Sequence, residues 1–312
     1  MRQFKLLLVL MLVLVSTASL IQAQETRSEI YVYTDSDTNI SDLWTNVIIP
    51  AFEAEHPEYD VVLTIVRGVG GGNADIAARA LAALETGDDP QVDFFEQIGV
   101  DSVADWVDAN LFLEVTEENV PNIATVIEAT NRLPQEIPYR GSQVLLAYNS
   151  EFVAEDEVPT TYAELIEWIK ANPGEFVYNR PDKGGSGAAM VTRAIFEVTG
   201  QQPELFVPGE FDEELVAQFP EAWELLGSIH DSIYENGAYP AGNTPVLELF
   251  ANGSVNMITA WSDQALQALN NGLLPETTKL TQLQDLPFTG GYTYGAIPSN
   301  AGNMEGALAL AN

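Results

Sequence analysis

Residues 175–189 read EFVYNRPDKGGSGAA. A short β-type run, Phe176 to Tyr178, feeds a loop with one arginine and three glycines. The loop opens into a helical pattern, Ala188 to Thr199, closed by Gly200. Strand, loop and helix in this order make one α/β unit. A glycine-rich loop at a helix start offers free backbone N–H groups and the positive end of the helix dipole, so the stretch predicts a small-ligand site. Its spacing excludes nucleotide chemistry. Lys183 precedes the glycines instead of following them, and Gly185-Ser186-Gly187 has Met190 where a dinucleotide fingerprint needs its third glycine. The second glycine run, Gly68 to Gly72, fails the same test at Asn73.

The same alternation continues on both sides. Glu29 to Thr34 reads as a strand, and Ser41 is placed to cap a helix with apolar stripe Leu43, Trp44, Val47, Ile48, Ala51 and Phe52, kinked or broken at Pro50. Tyr59 to Arg67 is a second strand, Ala74 to Thr86 a helix stopped by Gly87, and Val92 to Phe95 a short buried strand. Val144 to Tyr148 is a strand, and Thr161 with Glu164 forms a capping box. Pro220 to Asn236 reads as a helix stopped by Gly237, Val255 to Ala260 as a strand, Asp263 to Asn271 as a helix and Tyr294 to Ile297 as a strand. This order predicts α/β layers with mainly parallel strands. Asn303 to Asn312 starts a helical pattern that the chain does not continue, so a fragment lacking C-terminal helical sequence is expected.

Composition narrows the function classes. The 312 residues carry 46 acidic and 12 basic side chains, a formal net charge of −34, which argues against nucleic acid or an anionic membrane as a main partner. The acids are spread along the chain and read first as a solvating surface, although they could favour a cationic ligand. Arg2 and Lys5 precede ten uninterrupted apolar residues, Leu6 to Val15, and then Ser16, Thr17, Ala18 and Ser19, so residues 1–23 read as a signal peptide cleaved after Ala23. An uncleaved anchor is the alternative. There is no cysteine, hence no disulfide and no thiolate metal site. The two histidines, His56 and His230, read as surface or packing residues. Asp35 and Asp37 are not followed by calcium-loop spacing, no Gly-x-Ser-x-Gly elbow occurs, and no catalytic constellation is found. No metal and no cofactor is expected.

Polar and aromatic residues recur just beyond strand ends: Asp35 and Ser36; Glu96 and Gln97; Tyr139 and Arg140 before Val144; Asn179 and Arg180; Trp261, Ser262 and Asp263; Tyr292. Open α/β sheets bind ligands outside the carboxyl ends of their strands, so several such loops converging would build a cleft with aromatic walls.

The ordered segments LWTNVIIPAFEAEHPEYDV, ARALAALETGDDPQVDFFE, IPYRGSQVLLAYNSEFV, PTTYAELIEWIKANPGEFVYNRP, ANGSVNMITAWSDQALQALNNG and YGAIPSNAGN resemble an extracellular (periplasmic) solute-binding protein of an ABC importer. GEFVYNRPDKGGSGAA together with AWSDQAL is similar to the YnjB-like subgroup. The resemblance implies a two-lobed α/β fold of the periplasmic-binding-protein type II, with a hinge between lobes. Residues 24–145 plus 289–312 would form lobe 1, its C-terminal part truncated, and residues 146–288 lobe 2. It implies a periplasmic or secreted, non-enzymatic protein, expected to be a monomer, that captures a small solute and delivers it to a membrane permease. The residues expected to line the cleft are Asp35, Ser36, Gln97, Tyr139, Arg140, Arg180, Ser186, Gly187, Trp261, Ser262, Asp263 and Tyr292. Arg140, Arg180 and the Ser186 helix start would suit an anionic group, and Tyr139, Trp261 and Tyr292 a ring or a cation. A phosphorylated or zwitterionic solute, with a cationic ring as one form, fits both. The alternative class is an exported α/β enzyme, a transferase or hydrolase using the same cleft.

Overall fold

The computed structural model describes residues 27–66, 72–206 and 211–312. The signal-peptide reading of residues 1–23, the end of the second strand at Arg67 and most of the first glycine run lie outside them.

Two sheets organise the described chain. The first has the order β2-β1-β3 and is parallel: β1 (Ser28–Thr34) pairs with β2 (Tyr59–Ile65) on one side and with β3 (Phe94–Phe95) on the other. Alternation along β1 turns Ile30, Val32 and Thr34 inward. The second sheet has the order β5-β6-β4-β7, formed by β4 (Ile137–Asn149), β5 (Phe176–Val177), β6 (Met257–Trp261) and β7 (Thr278–Thr281). In β6, Met257 to Ala260 are buried without alternation, because helices cover both faces of the strand.

Here the expectation of mainly parallel strands needs correcting. Only β5 and β6 pair in parallel in this sheet, whereas β4 is antiparallel to β6, to β7 and to β8 (Gly290–Gly295). The reason is the length of β4. Its first half, from Ile137 to Gln143, pairs with β8, and its second half, from Val144 onward, pairs with β6 and β7. Just after β8, Ala296 bridges Phe95 of the first sheet. Two antiparallel strands, β4 and β8, therefore run between the sheets, and the fold is two-lobed.

Each side has its own apolar interior. Ile30, Val32, Trp44, Val61, Phe94 and Ile297 pack in one cluster of the first side, with Phe95, Trp106 and Phe112 in a neighbouring one. Leu146, Tyr162, Phe176, Met190, Phe250 and Ile258 pack in the second.

Two helices depart from expectation. The first begins at Thr38 instead of after Ser41, whose hydroxyl bonds back to the Thr38 carbonyl. Pro50 does not break this helix. A π turn, Trp44–Ile48, lets the Ile49 N–H reach the Trp44 carbonyl and absorbs the missing proline donor. The expected helix over 220–236 stops early: Phe219–Gly227 is helical, His230–Ser232 is a 3₁₀ turn, and Glu235 and Asn236 have left-handed φ of 48° and 57°. Ile229 and Ile233 still enter the core at helical spacing, but Ile233 does so as a bridge beside Phe176. At the C-terminus, Met304–Ala311 is a helix whose start is capped by Asn303, and its Ala307 packs among the first cluster. The Thr161–Glu164 capping box opens the helix Tyr162–Ala171, which precedes β5.

Candidate functional site

The carboxyl ends of β1 and β3 meet the start of β4 around one buried carboxylate. Glu96 follows β3 and is fully buried. Its Oε2 lies 2.8 Å from the Thr34 hydroxyl and 2.5 Å from the Ser36 hydroxyl, and its Oε1 accepts from the Tyr139 hydroxyl. Arg140 spans the mouth of this pocket. Its Nε donates to Tyr139 Oη at 2.9 Å, and its Nη2 donates to Ser36 Oγ at 3.2 Å and Gln97 Oε1 at 3.1 Å. Nη2 is also 3.5 Å from Glu96 Oε1, and Nη1 is 4.0 Å from Asp263 Oδ2. Burial pushes the Tyr139 phenol well above its ordinary value, and the Glu96 charge adds to the effect, so the hydroxyl stays a donor. For Arg140 burial works toward a lower pKa. The neighbouring Tyr139, Glu96 and Asp263 outweigh it, and the guanidinium is held more firmly charged than usual.

The second sheet contributes the end of β6. Trp261 is half-buried, and Ser262 and Asp263 open the helix Ser262–Asn270. Asp263 Oδ2 accepts from Asn39 Nδ2 at 2.8 Å, and its Oδ1 accepts from the Ser142 hydroxyl. Asn243, at the start of the helix Asn243–Ala251, donates its amide to Asp37 Oδ2 at 2.6 Å. Side chains at helix starts of one side thus bond directly to helix starts of the other. Beside them, where β4 and β8 cross, an open cavity of about 530 Å³ is lined by Ser142, Gln143, Ser262, Tyr292 and the glycines facing them.

The opening motif takes a different role. Ser186 is fully buried, and its hydroxyl lies 2.7 Å from Asn179 Oδ1 and 2.9 Å from Asn243 Oδ1. The N–H of Ser186 donates to Asn243 and that of Gly187 to Asn179. The helix start thus offers two of its backbone donors to asparagine side chains. The glycines serve close approach. A Cβ on Gly185 would stand 2.5 Å from the Trp261 ring, and one on Gly187 would stand 2.0 Å from the Asn179 carbonyl oxygen. Gly187→Ala is therefore expected to cost about 1–3 kcal/mol through overpacking, read as a lowered urea midpoint. An unchanged midpoint would show that the helix shifts freely.

Arg180 is exposed and held by Asp182 at 2.7 Å. Asp35 accepts from the Asn73 N–H at 3.1 Å, at the start of the helix Asn73–Thr86. The structure joins Ser36, Gln97, Tyr139, Arg140 and Asp263 in one network and sets Tyr292 and Ser262 along the cavity beside it. Arg180, Ser186 and Gly187 stay outside that network, so two of the three features expected to receive an anion are occupied elsewhere. The residues expected to line the cleft do not include Glu96, Asp37, Asn39, Ser142 or Asn243, although Glu96 is read in the sequence as a polar residue beyond a strand end. For Asn243 the available signal is the Thr244-Pro245 pair that follows it at a helix start.

Residues 48–312 match the family model of the bacterial extracellular solute-binding proteins. A comparison with curated proteins finds no match. Several solved structures are similar in fold. Iron-bound HitA of Pseudomonas aeruginosa has a TM-score of 0.62 at 16% identity, with 91% of this chain and 79% of that chain covered. The spermidine/putrescine substrate-binding protein PotD of Streptococcus pneumoniae gives 0.60 at 14% identity, covering 92% and 76%. AgtB of A. tumefaciens R10, in complex with agropinic acid, gives 0.60 at 14% identity, covering 91% and 76%. The ligands these proteins are named for, iron, spermidine or putrescine, and agropinic acid, differ in chemistry, so the shared fold names no ligand.

Proposed function

The chain belongs to the bacterial extracellular solute-binding proteins, and from that premise we propose that it captures a small solute in the cleft between its lobes and hands it, unchanged, to an ABC permease in the membrane. In this reading it acts outside the cytoplasm as a monomer of the YnjB-like subgroup. Residues 24–145 plus 289–312 form one lobe and 146–288 the other, and β4 and β8 are the hinge. The observation that carries the reading is the meeting of helix starts across the cleft, Asn39 with Asp263 and Asp37 with Asn243. These bonds are short, polar and few, which suits a contact that must open and close. The wall is assigned to Gln97, Tyr139, Arg140, Trp261, Ser262, Asp263 and Tyr292, with Ser36 and Asp35 behind it.

Native mass spectrometry of the exported protein tests the reading directly. One small molecule per chain, released unmodified on denaturation, is the expected result, and turnover of that molecule would overturn it. A ligand at 100 times its dissociation constant adds about 2.7 kcal/mol of stability, so its rebinding is measurable by thermal shift. Trp261→Ala is expected to weaken the recovered molecule's binding about tenfold, equivalent to about 1.4 kcal/mol, through loss of ring contact. Unchanged affinity would remove Trp261 from the wall.

A further inference from the structure

We propose that the captured solute is an organic cation bearing N–H donors, an inference that rests on the capture reading above. Its first ground is the charge of the groups gathered at the cleft. In the hydrogen-bonded groups described above, the carboxylates of Asp35, Asp37, Glu96 and Asp263 stand against one guanidinium, that of Arg140, while Arg180 is paired with Asp182. That guanidinium is engaged on all sides, by Tyr139, Ser36, Gln97, Glu96 and, at 4.0 Å, Asp263. The closest partners of Asp37 and Asp263 are neutral. Asp37 is bonded to the Asn243 amide, and Asp263 to the Asn39 amide and the Ser142 hydroxyl. Neutral donors orient a carboxylate without cancelling its charge.

The second ground is independent of charge. Among the described residues, two buried amide oxygens at these same helix starts have no hydrogen-bond partner: Oδ1 of Asn73 and Oε1 of Gln264. Asn73 is 2% exposed, and its Nδ2 donates to the Gln97 carbonyl at 2.6 Å, next to Asp35. Gln264 is 5% exposed, follows Asp263, and donates from Nε2 to Thr244 at 3.1 Å, beside Asn243. Buried polar atoms are ordinarily paired, so each marks unmet demand. Both atoms are acceptors. An anionic solute would add acceptors to a place already short of donors, whereas an amine or amidine supplies them. Trp261 ends β6 directly before Ser262 and Asp263, and Tyr292 lines the cavity with Ser142 and Ser262, so aromatic rings of the kind that hold an organic cation stand on the same stretches of chain. The formal net charge of −34 draws the same class of molecule toward the protein.

The test is calorimetric titration at low salt with putrescine, agmatine and choline as cations and glycerol 3-phosphate and succinate as anions. Putrescine or agmatine is expected to bind at one per chain, and choline, which has no N–H, at least about tenfold more weakly. Asp263→Asn and Asp37→Asn keep side-chain shape and are each expected to weaken the amine about tenfold or more, with the melting temperature of the unliganded protein serving as the check on folding. Stoichiometric binding of an anion in preference to the amines overturns the cation assignment and leaves solute capture standing. So does an anionic or neutral molecule released from the exported protein. Amine binding that both variants leave unchanged overturns the assignment of the site. If none of the five probes binds and no molecule is released on denaturation, capture itself is overturned.

Discussion

Glu96→Ala is expected to destabilise the first lobe by about 3–5 kcal/mol, the range for removing one partner from a buried, hydrogen-bonded charge network. The carboxylate is fully buried and serves four groups from two stretches of chain: Thr34 and Ser36 at the end of β1, and Tyr139 and Arg140 on β4. Alanine leaves the Tyr139 and Thr34 hydroxyls without their acceptor in a place that water does not reach. It also leaves the Arg140 guanidinium with the more distant Asp263 as its main countercharge. Glu96→Gln keeps the shape and one acceptor oxygen, so it should lose clearly less than the alanine. Urea denaturation followed by circular dichroism measures both, and a loss under about 1 kcal/mol for the alanine would show that the network is not structural. The consequence for function follows from position. Arg140 bridges the Glu96 pocket and the Asp263 side of the cleft, so a ligand wall built on β4 moves when Glu96 is removed. Solute affinity is expected to fall together with stability in Glu96→Ala.

What the sequence could show was local, and what it could not was long-range. The capping box of Thr161 and Glu164 lies within three residues and is formed as expected. The Gly184–Gly187 loop was equally visible, but its role depends on Asn243, 57 residues away from Ser186, and on the Trp261 ring. A glycine run offers either free donors or close approach, and only the partner decides which. β4 was recognised from Val144 onward, although it begins at Ile137. Pro138 and Gly141 weaken the strand pattern there, and the structure accommodates them with a register shift between Pro138 and Arg140. The early end of the helix after Phe219 was hidden by Ile229 and Ile233, whose four-residue spacing fits a helix equally well. Glu96 was visible as a polar residue at a strand end, but in so acidic a chain nothing local separated it from a solvated carboxylate.

Arg193→Ala is the counterpart in the second lobe, again with an expected loss of about 3–5 kcal/mol. The Arg193 side chain is 1% exposed and forks between two carboxylates, Glu197 and Asp285, each at 2.7 Å. Its Nε donates to the Leu286 carbonyl at 2.9 Å, and the guanidinium lies 4.9 Å from the centre of the Tyr162 ring. Asp285 also accepts from the Tyr162 N–H at 3.2 Å, so one arginine ties the glycine-loop helix to the helix Tyr162–Ala171 and to the segment that leads into β8. Removing it leaves Asp285 facing Glu197 with no cation between them. Arg193→Lys keeps the charge but not the planar fork, and it cannot serve Leu286 and both acids at once, so it should recover only part of the loss. Replacing Arg193, Glu197 and Asp285 together by apolar residues of similar volume should cost less than Arg193→Ala alone, because it leaves no buried charge unpaired. That ordering separates a charge effect from a volume effect. A triple variant no more stable than the single alanine would show that packing of the arginine stem over Tyr162, and not its ion pairs, holds this helix in place.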